Sequence, residues 1–257
     1  MGQPLSATAA AVVREGVAAS SGVGIAPAGE LPVIRRLVAD LLDMVFPPRC
    51  AACRCDLSGH HSPASAGGRL CAPCAVELGH AAMTVLDRGA VDGYVALGPY
   101  AGLLRESVLR CKRPGAAGLA AALAALMVER HEDTIQSLGV DLVAPVPMHW
   151  LRRAVRGVDA PVELARGLAR SARLPVAEIL VRRRATVMQN RLPVAARRGN
   201  LAGAFVVRGD VAGRRVLLVD DVMTTGATLL ACREALRDAG AVGVFAAVVA
   251  RAETTDG

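Results

Sequence analysis

The 257-residue chain is poor in aromatic side chains and in lysine. Phe, Trp and Tyr together make up 2% of the sequence, and Lys112 is its single lysine. Because large rings are scarce, Ala, Val and Leu must build the core, within a composition that is 53% hydrophobic. The scarcity of rings also argues against a protein that binds single-stranded nucleic acid by stacking its bases.

Long apolar runs and targeting signals are also absent from the sequence. No apolar run reaches the roughly 18 residues that a membrane-spanning helix requires, and the longest, residues 115–128, is rich in alanine. The N-terminus has no basic region before an apolar core, so no signal peptide is predicted. We therefore expect a cytoplasmic protein in a reducing compartment, with no membrane span.

The chain is strongly basic, with a net charge of +7 that is carried almost entirely by arginine. Arginines cluster at residues 152–156, 182–184, 197–198 and 214–215. Such a surface attracts phosphate groups, whether they belong to a small ligand or to a nucleic acid.

The sequence pattern divides the chain into four segments. Residues 1–30 have no sustained periodicity and predict a disordered leader. Residues 31–90 begin with an amphipathic helix that ends at Pro47 and continue into a cysteine-rich module. Residues 91–251 alternate strand-like with helix-like runs, and residues 252–257 are expected to form a tail.

The alternation in residues 91–251 predicts a largely parallel sheet that helices cover on both faces. The predicted strands are residues 93–97, 142–145, 179–181, 204–207, 216–219 and 242–249. The predicted helices are residues 103–112, 118–131, 161–171 and 228–239, the last with Gly240 as its C-terminal cap.

Five of the seven cysteines lie between residues 49 and 80, and four of them form two Cys-x-x-Cys pairs. The first pair is Cys50 and Cys53, and the second is Cys71 and Cys74. Each pair turns tightly enough to present two thiolates to one ion, and two pairs complete the tetrahedron of a structural zinc site. Cys55 is an alternative to Cys53, and free cysteines or a disulfide-rich module are the alternatives to metal binding.

The most informative segment is residues 216–228, Val-Leu-Leu-Val-Asp-Asp-Val-Met-Thr-Thr-Gly-Ala-Thr. A short buried strand is predicted to run into Asp220 and Asp221, at the edge of the sheet where open α/β folds bind ligands. Their carboxylate oxygens can accept hydrogen bonds from two hydroxyls of a ribose.

The loop after the two aspartates has the composition of a phosphate site. Thr224, Thr225 and Thr228 supply hydroxyl donors, and Gly226 allows the backbone to turn closely around an anion. The first amides of the next helix, near Ala227, point along the positive end of the helix dipole. With the aspartates, this loop predicts a site for a sugar that carries a 5′-phosphate. The structural alternative is a buried strand, a polar turn and a capped helix that bind nothing.

This segment resembles the ribose-5-phosphate motif of type I phosphoribosyltransferases, and residues 37–251 resemble the ComF/GntX family, which is named for competence in DNA uptake. The resemblance implies a type I phosphoribosyltransferase-like α/β fold with an N-terminal zinc module of four cysteines. It implies phosphoribosyl pyrophosphate as the ligand, bound with magnesium, and Asp220 and Asp221 as the catalytic pair. As an alternative, it implies a non-catalytic protein that binds incoming single-stranded DNA and has a helicase as its partner.

A second loop that matches the family precedes the acidic pair. Residues 142–147 read as a strand that runs into a rigid turn. In type I phosphoribosyltransferases an equivalent turn holds pyrophosphate and its magnesium. The resemblance therefore implies a pyrophosphate loop at Pro145, Val146 and Pro147.

The resemblance implies four further ligand contacts, which are Lys112, Arg156, Gln189 and Arg197. Arg156 begins a family segment that usually reads Arg-Gly-Phe-Asn-Gln, but residues 158–160 of this chain lack its ring and its amides. If that loop touches an acceptor base, its stacking and hydrogen-bonding groups are altered here. Arg197, with Asn200, is equally typical of a helix-to-strand turn.

Overall fold

The computed structural model describes residues 41, 47–57, 68–86, 89–148, 159–183 and 203–252. Apart from Leu41, all of these belong to one compact unit, Phe46–Gly257. The helices described from residue 47 onward are α1 (Ala72–Gly79), α2 (Gly102–Cys111), α3 (Ala117–Ser137), α4 (Ala160–Ala172) and α5 (Ala227–Asp238). The strands are β1 (Met83–Val85), β2 (Tyr94–Pro99), β3 (Leu142–Pro145), β4 (Leu180–Arg182), β5 (Phe205–Val207), β6 (Arg215–Met223) and β7 (Gly243–Arg251). The leader and most of the helix predicted before Pro47 lie outside the described residues.

Five strands form the main sheet, in the order β1-β2-β7-β6-β3. β1 is antiparallel to β2, and the other neighbouring strands are parallel. β4 and β5 form a separate antiparallel pair. The predicted α/β architecture with a mostly parallel sheet is therefore confirmed.

The interior strand β6 is buried on both faces of the sheet. Successive side chains of a strand point to opposite faces. Accordingly, Leu217 and Val219 belong to the core that contains α3 and α4, whereas Val216 and Leu218 belong to the core that contains α5. Because helices cover both faces, the strand reads in the sequence as a continuous apolar run.

Helix α3 is the longest of the described helices and is rich in alanine. It packs closely on α4, because a Cβ atom on Gly167 would lie only 2.8 Å from the Ala124 Cβ and 3.2 Å from the Ala121 Cα. Small residues at this contact therefore set the distance between the two helices. Within the described ranges, no helix combines the length and the apolar character that a membrane span needs.

His131 interrupts α3 and attaches it to the sheet. Its backbone has non-helical angles, φ −130° and ψ 23°, inside the helix. The ring is buried, with Nε2 3.1 Å from the Ala96 carbonyl oxygen of β2 and Nδ1 3.2 Å from the Thr84 hydroxyl of β1. The helix predicted to end at residue 131 thus continues after a kink at this histidine.

The carboxyl ends of β3 and β6 lie side by side, with Pro145 paired to Val219. The helix that follows β3 in the described chain, α4, covers one face of the sheet, and α5, which follows β6, covers the other. Adjacent parallel strands that lead to opposite faces leave a crevice at their carboxyl ends, and open α/β sheets bind ligands there. The topology therefore places Asp220 and Asp221 beside a candidate binding crevice.

Candidate functional site

The acidic pair lies within the last part of β6, although the sequence pattern predicted that the strand would end at residue 219. β7 pairs with β6 as far as Met223, opposite Arg251, and this pairing keeps the backbone extended through both aspartates. The Asp221 N–H donates a hydrogen bond of 2.8 Å to Asp220 Oδ1. The two half-buried carboxylates are thus fixed at the edge of the crevice.

Lys112 forms an ion pair with one member of the acidic pair. Its Nζ lies 2.9 Å from Asp221 Oδ2, and the two side chains are only 24% and 14% exposed. Lys112 is the C-cap residue that directly follows α2, so this helix determines where its backbone lies. An ion pair shielded from water in this way interacts more strongly than a pair on the open surface.

The environment of Asp220 disfavours its ionised form. Burial raises the pKa of Asp220 well above its usual value of 3.8, and the charge of Asp221 raises the pKa further. The Asp221 N–H and the Lys112 charge act in the opposite direction. A carboxyl group in this position gains from an added hydrogen-bond donor or positive charge, because either one stabilises the ionised form.

Asp159 is a site residue that the sequence analysis did not identify. It precedes α4, is 8% exposed, and its charge contributes to the raised pKa of Asp220. In the sequence an aspartate at a helix start is typical of an N-terminal cap, although here its side chain makes no capping hydrogen bond. Its effect on Asp220 depends on the packing of α4 against β6, which local sequence does not reveal.

The loop after β6 leads directly into α5. Gly226 is the N-cap residue, with a φ of 73°, and the Ala227 N–H donates to Thr225 Oγ1 at 3.4 Å. Thr224 is exposed, and Thr228 is half-buried in the first turn. Since the N-cap is a glycine and makes no side-chain cap, the first turn of α5 presents backbone amides and the positive end of its dipole at this edge.

The predicted pyrophosphate loop lies beside the acidic pair. Pro145 is paired with Val219, and the Val146 N–H donates to the Val219 carbonyl oxygen at 2.9 Å. Pro145 and Pro147 have no N–H, so none of the three residues retains a backbone donor for an anion. A pyrophosphate at this turn would therefore find no free backbone donor among residues 145–147.

Several predicted elements thus meet at the carboxyl edge of β3 and β6. They are the acidic pair, Lys112, the turn at residues 145–147 and the loop at residues 224–228. The other predicted contacts, Arg156, Gln189 and Arg197, lie outside the described residues and stay predictions.

A second cluster is formed by Cys50, Cys53, Cys71 and Cys74, whose Sγ atoms all lie within 4.8 Å of one another. The Cys53 and Cys71 Sγ atoms are 3.7 Å apart. Zinc–sulfur bonds of about 2.3 Å in a tetrahedron give an S–S edge of about 3.8 Å, so the spacing fits the ion. The cluster contains Cys53 and not Cys55, and these four cysteines can hold a metal ion such as zinc.

Hydrogen bonding prepares Cys50 for ligation. Burial raises the pKa of its thiol, but hydrogen bonds from the backbone of Cys71, Cys53 and Ala52 outweigh burial and lower the pKa to about 6. The Cys71 N–H lies 3.4 Å from Cys50 Sγ. Interaction with Cys53 raises the pKa of Cys55 to about 12, and burial also raises the pKa of Cys74. The Sγ spacing, and not the thiol pKa, therefore distinguishes Cys53 from Cys55 as the ligand.

The cysteine segment is joined to the rest of the unit by packing and by Arg110. Cys50 and Leu78 belong to the same hydrophobic cluster as Leu217 of β6 and Phe245 of β7. Arg110 Nη2 donates to the Ala51 carbonyl oxygen at 2.7 Å, and its Nη1 donates to the carbonyl oxygen of Ala52. The division predicted at residue 90 remains a prediction, while the described residues on its two sides share one core.

The chain matches a protein-family model and several known proteins. The family model described as phosphoribosyl transferase domain matches residues 159–256. The chain is 36% identical over 104 residues to Competence protein F of Haemophilus influenzae, covering 39% of this chain and 45% of that protein. It is 30% identical over 154 residues to the DNA utilization protein YhgH of Escherichia coli K12, covering 58% of this chain and 68% of that protein.

The chain is also similar to a solved structure of the glutamine phosphoribosylpyrophosphate amidotransferase from B. subtilis. The match covers 55% of this chain and 30% of that chain, with 21% identity and a TM-score of 0.34. The mostly parallel sheet, the family match and the cysteine cluster define a phosphoribosyltransferase-like α/β protein with a small N-terminal cysteine module. The chain belongs to the ComF family, and the predicted membership is confirmed. It spans 45% of the length of Competence protein F.

Proposed function

We propose that this chain binds phosphoribosyl pyrophosphate, together with magnesium, at the carboxyl edge of β3 and β6. The observation that carries the proposal is the convergence of a half-buried acidic pair, Asp220 and Asp221, with the glycine-capped start of α5 at one crevice. Carboxylate oxygens suit the hydroxyls of a ribose, and the positive end of a helix suits its 5′-phosphate.

In this proposal different protein groups bind different parts of the ligand. Asp220 and Asp221 accept hydrogen bonds from two ribose hydroxyls, each worth about 1.5–3 kcal/mol when charge-assisted. Thr225 Oγ1 accepts the Ala227 N–H, and its hydroxyl proton is then directed to the phosphate. Thr224, Gly226 and Thr228 complete the phosphate loop.

Magnesium fits the oxygen donors of this edge, because Mg²⁺ prefers carboxylate and phosphate oxygens. When bound, it neutralises negative charge on the pyrophosphate. The protein groups that would hold it with the ligand are Asp220 and Asp221. The raised pKa of Asp220 favours this role, since a nearby cation relieves the cost of ionising a buried carboxyl.

As a transferase, the protein would release pyrophosphate from the anomeric carbon of the ribose through an oxocarbenium-like transition state. Ionised Asp220 would stabilise the positive charge that develops on the sugar, and Lys112 would stabilise the negative charge on the departing pyrophosphate. The phosphoribosyl acceptor is not identified by any residue described above.

Calorimetry with phosphoribosyl pyrophosphate, with and without magnesium, tests the proposal. We expect binding that strengthens with magnesium, and weaker binding of ribose 5-phosphate because it lacks the pyrophosphate. Inorganic pyrophosphate alone serves as the matched ligand without a sugar. Absence of measurable heat with phosphoribosyl pyrophosphate and magnesium at millimolar concentrations would contradict the proposal.

A second candidate function is binding of single-stranded DNA with a helicase as partner. The net charge of +7 and the similarity to Competence protein F favour it. However, each aromatic ring in the described ranges has an arginine guanidinium 5.5–5.9 Å from its centre, and these rings are Tyr94, Tyr100, Phe205 and Phe245. Within the part of the chain that the structure describes, DNA binding would therefore depend on phosphate contacts.

A salt titration distinguishes the two functions. Binding through phosphates releases counterions, so the logarithm of the affinity falls steeply and linearly with the logarithm of the salt concentration. We expect that steep dependence for an oligonucleotide if the second function holds. An oligonucleotide affinity that is undetectable at about 50–200 mM salt would exclude the second function, and phosphoribosyl pyrophosphate binding is measured separately.

A further inference from the structure

The end of α2 connects the cysteine cluster with the acidic pair through three consecutive residues. Arg110 donates to two carbonyl groups between Cys50 and Cys53, with 2.7 Å from Nη2 to the Ala51 oxygen. The next residue, Cys111, is 2% exposed and belongs to the main core. Lys112 then forms the 2.9 Å ion pair with Asp221.

We propose that Arg110 is a positioning residue that couples metal binding at the cysteine cluster to the sugar-phosphate site. The proposal rests on the proposed function for the site that is affected. With a metal bound, the first cysteine pair holds its two carbonyl groups toward Arg110, and Arg110 holds the end of α2 so that Lys112 reaches Asp221. Loss of the metal releases this arrangement and weakens binding of phosphoribosyl pyrophosphate.

The backbone around Arg110 explains why a change at one end reaches the other. The N–H groups of Lys112 and Arg113 both point to the carbonyl oxygen of Arg110, the latter at 2.9 Å. The side chain of Arg110 therefore holds the cysteine pair while its carbonyl group holds the turn that carries Lys112. A shift of Arg110 changes the position of that turn.

Backbone hydrogen bonds shape the first cysteine pair, and a bound metal would constrain it further through its two thiolates. The pair is a tight turn, in which the Arg54 N–H donates to the Cys50 carbonyl oxygen at 2.8 Å and Arg54 has a left-handed φ of 67°. A bound metal fixes both thiolates of such a turn and contributes directly to its folding. Without it, the carbonyl groups of Ala51 and Ala52 lose the constraint that directs them toward Arg110.

The expected direction follows from charge. Lys112 neutralises part of the acidic pair and adds a cation next to the pyrophosphate. If Lys112 withdraws, Asp221 repels the incoming phosphates and the cation is lost. We expect phosphoribosyl pyrophosphate to bind about five- to tenfold more weakly, within the usual range for coupling between two sites.

The single lysine of the chain provides a direct measurement. Protein labelled with ¹⁵N-lysine has one side-chain ammonium signal, that of Lys112, besides backbone signals. We expect metal removal and Arg110→Met each to shift this signal toward its position in Asp221→Asn. Arg105→Met is the matched control, since Arg105 lies on the same helix and contacts the Tyr100 ring. It should leave the signal unchanged.

A binding cycle provides the second measurement. The Kd for phosphoribosyl pyrophosphate is compared in the wild type and in Arg110→Met, each with zinc and after its removal. We expect either change alone to weaken binding about five- to tenfold, and zinc removal to have no further effect in Arg110→Met. If zinc removal and Arg110→Met instead weaken binding independently, so that their fold-changes in Kd multiply, the structure has loosened generally and the coupling is overturned.

The outcomes separate this inference from the proposed function. A Lys112 signal that stays in place when zinc is removed overturns the coupling, whatever the ligand does. A Lys112 signal that moves as expected supports the coupling. If the same protein binds no phosphoribosyl pyrophosphate, the proposed function is contradicted while the coupling stands. If Arg110→Met does not fold, the reversible removal and return of zinc in the wild-type protein decides the question.

Discussion

Gly226 lies directly against Ala90, so that a Cβ atom added to Gly226 would come within 2.8 Å of the Ala90 Cβ. Gly226 also has a left-handed φ of 73°, which favours glycine. The sequence analysis assigned this glycine to close approach of a phosphate. The structure adds a different requirement, because the segment before β2 occupies the space that a side chain would need. Gly226→Val should therefore lower the melting temperature of the ligand-free protein.

Thr225 is the sharper probe of the proposed phosphate loop. Thr225→Ala removes one hydroxyl, and we expect binding of phosphoribosyl pyrophosphate to weaken by about 0.5–1.5 kcal/mol. Thr225→Ser retains the hydroxyl and should bind nearly as well as the wild type. Calorimetry with ribose 5-phosphate and with free ribose is the check. An equal loss for the two sugars would mean that the loop does not bind the phosphate.

The acidic pair is tested by Asp220→Asn combined with Asp221→Asn. If the carboxylates hold ribose hydroxyls, each lost charge-assisted hydrogen bond should cost about 1.5–3 kcal/mol of binding free energy. Asp238→Asn removes one carboxylate charge from the exposed end of α5 by the same substitution and should leave binding intact. Calorimetry measures the affinity, and circular dichroism verifies the fold. Unchanged affinity in the double variant would assign the pair a structural role.

Metal content distinguishes Cys53 from Cys55 as the fourth ligand of the cluster. We expect the purified protein to contain one equivalent of zinc, and Cys53→Ser to lose most of it, because Cys53 Sγ belongs to the cluster. Cys55→Ser should retain the metal. Elemental analysis of the two variants, prepared in the same way, is the measurement. Zinc absent from the wild type, or retained equally by both variants, would refute the assignment.

His131 makes stability depend on pH below neutrality. Burial lowers the pKa of His131 below its usual value of 6.5, so the unfolded state takes up a proton before the native state does. The free energy of unfolding should therefore fall as pH drops below 6.5, by at most about 1.4 kcal/mol per pH unit. His131→Gln should reduce this dependence. Urea unfolding of the wild type and of His131→Gln at pH 8 and at pH 5.5 measures this change in the free energy of unfolding. An equal change in the two proteins would count against a buried neutral histidine.

Much of the sheet could be predicted from the sequence because its strands are apolar and flanked by helical periodicity. Apart from β6, the predicted strand ends lie within two residues of the observed ones. β6 is longer because pairing with β7 continues past residue 219 and keeps Asp220 and Asp221 extended. Polar residues normally mark the end of a buried strand, so a local pattern stops too early at this position.

The features that the sequence did not predict depend on contacts between residues that are distant in sequence. β1 has three residues and one partner strand, so it is too short for a periodic signal. Asp159 acts on Asp220 only because α4 packs against β6. The contacts of Arg110 with Ala51 and Ala52, and of Lys112 with Asp221, likewise require the folded topology. Residue types predicted the chemistry of the candidate site, whereas only the structure identified these partners.

The packing of the cysteine segment has a consequence for how the protein unfolds. Leu70 and Leu78 are buried in the same cluster as Leu217 and Phe245 of the central strands. Residues that share one core are expected to lose their structure together, in a single cooperative transition. Metal affinity is then part of the folding free energy of the whole sheet. A chelator should accordingly lower the free energy of unfolding of the central strands, even though the cluster and the crevice lie in different parts of the sequence.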